Sequence, residues 1–342
     1  MIDKLLLGNN LQKKEAEQLF NLILDEKSVW PLKTAEQALV LLHKKIETAD
    51  ELLALVNTAQ PLSKSKLRSI PSIEIVDGCG TGGDQKQTFN ISTVASIVAA
   101  ASGASVAKHG NRSITSKCGS SDLMEALGVN LNAKKKQMLK ALQKARIGYF
   151  HAPLYTKAFR PVQALRRELG AQRIRTIFNI AGPLLNPLQP KRQVIGVCHQ
   201  RYINPLIQVL KKRGTLHALV LSGNDGADEL TTYQSTKVAE LRGGKILHYT
   251  VSPNSYGFKV SGPAELNGGS VQKNTQIALS LLRGKNKPVG GRDTVLLNAA
   301  ALLYVSGKAK RISDGIVMAK ESINSKRALK TLGQLKKISH DS

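Results

Sequence analysis

The stretch VDGCGTGGDQKQTFNIST, Val76–Thr93, sets four glycines, two aspartates and seven hydroxyl or amide side chains between a strand-like run, Ile73–Val76, and an apolar run that opens at Val94. Glycine lets backbone N–H groups close around a ligand at angles other residues resist, and a helix start beyond the loop adds donors of its own. The stretch therefore reads either as a phosphate cradle or as a tight structural turn, and its neighbours decide between them.

Working outward, strand-like and helix-like segments alternate. IEIVD is followed by a helix over Thr93–Ser102, then ASVAKHG, Asp122–Leu127 and a lysine-rich helix starting near Asn132. Later come QVIGVCH, a helix from Tyr202 to Lys212, LHALVLSG, KILHYTV and further helices. This rhythm predicts an α/β domain with a central sheet and helices on both faces, with ligands gathering beyond the C-terminal ends of the strands. The first seventy residues differ. Ala16, Leu19 and Ile23, then Ala35, Ala38, Leu42 and Ile46, fall on helical spacing, Pro31 marks a helix start, and Asp50 is placed to cap a further helix. PLSKSKLRSIPS interrupts the pattern, so a small helical N-terminal domain over 1–70 and a large domain over 71–342 are expected, with the boundary near Ile70.

At 342 residues and 42% hydrophobic, the chain is long enough for two domains and is globular rather than disordered. It contains no apolar run of the roughly 20 residues that span a bilayer, and its start lacks the features of a cleaved leader, so a cytoplasmic enzyme without a membrane partner is expected. Cys79, Cys118 and Cys198 have no metal-ligand spacing and suit neither a disulfide framework nor a zinc site. Charge is the anomaly. Fifty Lys and Arg against 24 Asp and Glu give a net charge of +26, which draws phosphorylated substrates and, at low salt, non-specific nucleic acid. No helix-turn-helix or zinc-finger pattern accompanies it, and 4% aromatics is a poor supply of stacking platforms. Lys134, Lys135, Lys136, Lys140 and Lys144 read as a solvated helix face.

Three further segments carry chemistry. In AKHGNRSITSKCGSSDLMEALG, a short buried strand over Ala104–Ala107 delivers Lys108 and His109 at its end, Asn111 and Arg112 follow in a polar loop, and Ser120 and Ser121 precede Asp122 at a helix start. RRELGAQRIRTIFNIAGPLLNPLQP offers Arg166 or Arg167 to a ligand carboxylate, the alternative being a surface pair with Glu168. SGNDGADELTTYQSTKVAEL supplies Asp225, Asp228 and Glu229. The adjacent Asp228 and Glu229 can hold Mg²⁺ through oxygen, with diphosphate supplying other ligands. GTGGDQKQT lacks the glycine-lysine-serine/threonine ending of the P-loop, and the protein-kinase loop set is missing.

GTGGDQKQTFNIST, AKHGNRSITSKCGSSDLMEALG, RTIFNIAGPLLNP and DGADEL, in that order, resemble the signature segments of the anthranilate phosphoribosyltransferase family, and the likeness runs through nearly the whole chain. The resemblance implies a helical dimerisation domain completed by a returning segment near 166–180, a large α/β domain with a central mixed sheet, and a homodimer. It also implies magnesium-dependent transfer of the phosphoribosyl group of 5-phosphoribosyl 1-diphosphate to anthranilate. By resemblance, Gly80, Thr81, Gly82 and Gly83 cradle the diphosphate, Asp84 and Thr88 support the loop or touch the ribose, and Asn90, Ser92, Thr93, Lys108 and Ser120 hold phosphate groups. Ser92, Asp228 and Glu229 are the implied Mg²⁺ ligands, while His109, Asn111 and Arg166 handle anthranilate. The chain departs from the family at Gln85, where glycine is common. It departs again at Thr156 and Lys157, which replace a histidine-proline pair, and at Ala164, where a proline usually precedes the arginine. The alternative is a basic relative of the same fold that binds nucleic acid or uses another aromatic nucleophile.

Overall fold

A computed structural model describes residues 1–62, 73–83, 86–113, 117–260, 262–285 and 288–341. The expected boundary at Ile70 lies outside the described residues. Helices α1 (Ile2–Leu6), α2 (Lys13–Leu24), α3 (Leu32–Lys45) and α4 (Ala49–Leu62) come first, as their apolar spacing requires. Pro31 is the N-cap of α3, whereas Asp50 lies within the first turn of α4 rather than capping it. There its negative charge still faces the positive end of the helix dipole.

The remainder alternates: β1 (Ile75–Gly80), α5 (Ile91–Ala101), β2 (Ser105–Gly110), α6 (Ser120–Ala126), α7 (Lys135–Lys144), β3 (Ile147–His151), α8 (Ala152–Tyr155), α9 (Gln163–Ala171), α10 (Ile177–Ala181), β4 (Arg192–Gly196), α11 (Ile203–Lys212) and β5 (His217–Gly223). An antiparallel pair, β6 (Thr236–Arg242) and β7 (Lys245–Val251), follows, then α12 (Val271–Leu282), α13 (Val289–Val305), α14 (Ile312–Asn324) and α15 (Arg327–Ser339). The sheet order is β3-β2-β1-β4-β5-β6-β7, parallel through β5, so the sheet is mixed. The lysine-rich helix begins at Lys135 rather than near Asn132. More consequentially, β2 is longer than Ala104–Ala107 and contains Lys108 and His109 inside the strand, because β3 pairs with it as far as Gly110.

Period-two alternation splits the sheet between two cores. Val194, Leu219, Leu221 and Val238 face a cluster with α5 and α13, while Ile195, Val220, Ala239 and Leu241 face a cluster with α2, α4 and α11. Leu165, Leu169, Ile177, Phe178 and Ile180 belong to this second cluster, beside Leu19, Phe20 and Leu55 of the N-terminal helices. On the other face α5 is apolar or small almost all round, as a helix wedged between a sheet and other helices must be. Gly315 of α14 lets that helix approach Ala300 of α13 so closely that a Cβ would lie 2.9 Å from the Ala300 Cα. Two packed faces leave the C-terminal rim of the parallel strands as the place where loops converge.

Candidate active site

At that rim β1 ends in Gly80 and β4 in Gly196, paired side by side. The loop carrying Asp228 crosses directly over both: a Cβ on Gly80 would run into the Asp228 carboxylate, and one on Gly196 into the Asp228 backbone. The glycines of the opening motif are thus required by close approach as much as by turn geometry. Thr81 N–H donates to the Gly196 carbonyl at 2.9 Å, and Gly82 N–H donates to Asp228 Oδ2 at 2.7 Å. Gly82 and Gly83 both take left-handed backbone (φ 67° and 73°) and turn their carbonyls toward Arg175, whose two terminal nitrogens donate to Gly82 O and Gly83 O at 2.7 Å each. Asp84 and Gln85 lie outside the described residues. Beyond them Thr88 forms a bridge with Asn267, and Phe89 N–H donates to Leu266 O at 2.9 Å, so the loop is fastened at both ends.

Where the loop enters α5, Asn90 donates to Cys118 O at 3.0 Å and accepts from Asn274 at 3.0 Å. Its side chain ties three segments together, and its carbonyl accepts from the Thr93 and Val94 N–H groups, so of its backbone only the N–H is left to meet a ligand. Thr93 is fully buried, and among the described residues neither its Oγ1 nor that of Thr81 has a hydrogen-bond partner. Lys108, 1% exposed, reaches under the loop to Gly78 O at 2.8 Å and Ser92 Oγ at 3.5 Å. Beneath it Asp77 accepts from Asn186 at 2.8 Å; burial pushes the Asp77 carboxyl up, and the Lys108 charge opposes that rise.

Ser92, Asp228 and Glu229 line one small cavity together with Cys79 and Asn298. Asn298 anchors the acidic segment by donating to Leu230 O at 2.7 Å and accepting from Leu230 N–H at 3.2 Å. Burial raises the Asp228 carboxyl above its ordinary range, while the Gly82 N–H, Glu229 and Arg175 pull it back. No group of three His, Cys, Asp or Glu poised for a metal occurs among the described residues. Two carboxylates and a hydroxyl fit Mg²⁺, a hard ion that binds through one or two carboxylates and takes the rest of its shell from water and phosphate. Asp225 is committed elsewhere: burial would raise its carboxyl, but Lys86 at 2.6 Å, Tyr233, Gln234 and the Ala227 N–H bring it down to about 2.

The second half of the site is built from side chains. His109 Nε2 lies 3.3 Å from Thr156 Oγ1 and its ring also bonds the Gly182 backbone. Burial, then the neighbouring Lys108 and His151, lower His109 to about 4, so it is a neutral imidazole near pH 7. Arg166 stacks over Phe159 (5.1 Å) and Phe178 (5.7 Å), rings that meet edge to face at 4.9 Å. Burial lowers Arg166 to about 10, and no side-chain hydrogen bond or ion pair to it occurs among the described residues. The surface pair with Glu168 is not formed, and Arg167 is exposed. The partners of His109 (Thr156, Gly182) and of Arg166 (Phe159, Phe178) lie on the same two short segments, which bring the imidazole and the guanidinium into one neighbourhood. Asn111 Oδ1 accepts from Arg112 N–H at 2.8 Å, leaving the amide NH₂ for a ligand. Ser120 Oγ donates to Asn111 O at 3.3 Å and contacts Tyr149 OH at 3.0 Å.

Arg175, Asn186, Tyr149 and His151 take part in this architecture without having stood out in the sequence. Arg175 and Asn186 both fall in RTIFNIAGPLLNP, where Arg175 resembles any other surface arginine. The others acquire meaning only when β1, β2, β3 and α6 are side by side.

The family described as "Glycosyl transferase family, a/b domain" matches residues 72–329. The chain is 42% identical over 329 residues to the anthranilate phosphoribosyltransferase of Methanobrevibacter smithii, covering 96% of this chain and 95% of that one. The crystal structure of anthranilate phosphoribosyltransferase from Thermus thermophilus superposes with a TM-score of 0.90 at 33% identity, covering 99% of both chains. The Saccharomyces cerevisiae enzyme, solved in complex with PRPP and Mg, gives 0.85 at 24% identity over 99% of this chain and 96% of that one, a likeness of fold.

Proposed function

The chain belongs to the anthranilate phosphoribosyltransferases, and from that premise we propose that its rim site joins anthranilate to 5-phosphoribosyl 1-diphosphate, giving N-(5-phosphoribosyl)anthranilate and diphosphate. The observation that carries this reading is the Gly82 N–H bond to buried Asp228, which puts a phosphate-type loop and an acidic pair in contact at the strand ends. Gly80–Gly83, Thr81, Thr93, Ser92, Lys108 and Ser120, with the Asn90 backbone, hold the diphosphate and ribose phosphate; Asp84 and Thr88 serve the loop and ribose. Mg²⁺, held by Asp228, Glu229 and Ser92, would neutralise charge on the diphosphate.

As the anomeric bond loosens, charge grows on the leaving oxygens, and Lys108 already lies fixed beneath them. The aromatic amine presents a neutral lone pair, so alignment rather than proton removal is the requirement. Arg166 takes the anthranilate carboxylate: a desolvated guanidinium without a protein anion is stabilised by a planar one arriving with its substrate. His109 and Asn111 orient the ring and amine, with Thr156 holding His109 where the family has its histidine-proline pair.

We place the protein in the cytoplasm as a homodimer joined through α1–α4, where Leu6, Leu7 and Leu32 are exposed. No described helix is long and apolar enough to cross a membrane. The +26 charge supports weak nucleic-acid binding that salt abolishes. Loss of anthranilate fluorescence on incubation with 5-phosphoribosyl 1-diphosphate and Mg²⁺ tests the activity. Turnover dependent on all three is expected, and a folded protein giving none would refute it; tight, salt-resistant nucleic-acid binding in its place would favour the basic-relative alternative.

A further inference from the structure

Behind Ser120 lies a buried polar chain that the transfer reaction does not use. Ser120 Oγ lies 3.0 Å from Tyr149 OH, Tyr149 OH 2.8 Å from Ser121 Oγ, and Ser121 Oγ 2.8 Å from His151 Nδ1. Tyr149 and His151 are two residues apart on β3 and so share a face, with Ser121 over both on α6. Ser121 is 0%, Tyr149 3% and His151 7% exposed, so the links are dry. Gly110 of β2 makes the room, since a Cβ there would strike both Ser120 Oγ and Tyr149 OH.

The direction of the chain follows from proton counting. Each hydroxyl has one hydrogen to give. The Asn111 carbonyl can only accept, so Ser120 donates outward to it at 3.3 Å. Tyr149 must then donate to Ser120, Ser121 to Tyr149, and His151 Nδ1–H to Ser121. The opposite tautomer would reverse every link and turn Ser120 into an acceptor facing outward, the wrong polarity for a phosphate oxygen. The same bookkeeping excludes a Ser121–His151 nucleophile-base pair, because the imidazole donates and the hydroxyl is inaccessible.

We propose that His151 is a positioning residue which, through Ser121 and Tyr149, holds Ser120 as a hydrogen-bond donor toward the phosphorylated substrate. This rests on the placement of Ser120 at a phosphate group. Asn111 O occupies the acceptor position until a phosphate oxygen replaces it, and the aligned dipoles strengthen the outermost bond.

The test measures the KM for 5-phosphoribosyl 1-diphosphate and for anthranilate in Ser120→Ala, Tyr149→Phe, His151→Leu, the Tyr149→Phe/His151→Leu double variant and His151→Asn, with folding checked by thermal melting. Ser120→Ala, Tyr149→Phe and His151→Leu should each raise the phosphorylated-sugar KM by about fivefold, the worth of one hydrogen bond, and leave the anthranilate KM unchanged. The double variant should be no worse than either single one, since one path is cut twice. His151→Asn, whose amide N–H can replace Nδ1–H, should restore most of the loss. Tyr149→Phe and His151→Leu without effect beside an impaired Ser120→Ala would overturn the proposal, as would additive effects or equal rises for both substrates. An unimpaired Ser120→Ala would instead remove Ser120 from the phosphate site, and the proposal with it.

Discussion

Around Gly80–Gly83 the main chain makes the site's hydrogen bonds, whereas around Arg166 and His109 side chains make most of the contacts. Around Gly80–Gly83 the amide of Thr81 is bonded to the neighbouring strand, that of Gly82 to Asp228, and the carbonyls of Gly82 and Gly83 to Arg175. Any shift breaks several bonds at once. Around Arg166 and His109 the partners are two aromatic rings, one hydroxyl and one backbone group. The Arg166 charge there is desolvated, with no protein anion beside it among the described residues. On the proposed assignment, the diphosphate would be held by fixed backbone and buried Lys108, and anthranilate would meet a desolvated arginine packed on two rings.

That contrast breaks most visibly if the acidic pair is neutralised. Asp228→Asn with Glu229→Gln should lower kcat/KM by about a hundredfold or more, as loss of preorganised charge stabilisation does, and shift the Mg²⁺ requirement upward in a titration. An unchanged magnesium dependence would remove both residues from the metal. Next in size, Arg166→Ala should raise the anthranilate KM by about ten- to a hundredfold, the range of a charged hydrogen bond. Arg166→Lys should recover little, because an ammonium neither forks nor stacks between Phe159 and Phe178; full recovery would mean that only the charge matters.

Arg175→Ala sharpens the other side of the comparison. Freed carbonyls at Gly82 and Gly83 should raise the phosphorylated-sugar KM by about five- to tenfold and speed hydrogen exchange at the loop amides. Exchange as slow as in the parent would show the loop held without its arginine. A further expectation concerns stability alone. His109 is lowered to about 4 when folded against about 6.5 unfolded, so the unfolded chain binds the extra proton between those values. Its contribution is complete above about 6.5 and lost as pH falls toward about 4. His109→Gln should flatten the acid limb of a melting-temperature profile in that window, and an unaltered limb would place the titration elsewhere.

These two ends also differ in how far the sequence discloses them. In GTGGD close approach forces the residue type, since a Cβ at Gly80 runs into Asp228, whereas Asp228 and Glu229 take on a metal role only through the family resemblance. The alternation of segments likewise exposed the α/β class. By sequence the strand ends at Ala107 with Lys108 and His109 beyond it, yet pairing with β3 and the partners Gly78 O and Thr156 accommodate them inside β2. β3 and β6 carry no separate signal: IGYFH lacks an alternating pattern and TKVAELR interleaves charged residues with its apolar ones. Phe159, Phe178 and Arg166 are up to nineteen residues apart in sequence, so their stack exists only after α9 and α10 fold back.

Division of labour between the two ends is tested most directly by initial rates over a full grid of both substrates, for Arg166→Ala and Arg175→Ala beside the parent protein. The expected result is a crossed pattern: Arg166→Ala raises the KM for anthranilate and spares that for 5-phosphoribosyl 1-diphosphate, and Arg175→Ala does the reverse. Parallel losses for both substrates in both variants would show one undivided site and contradict it.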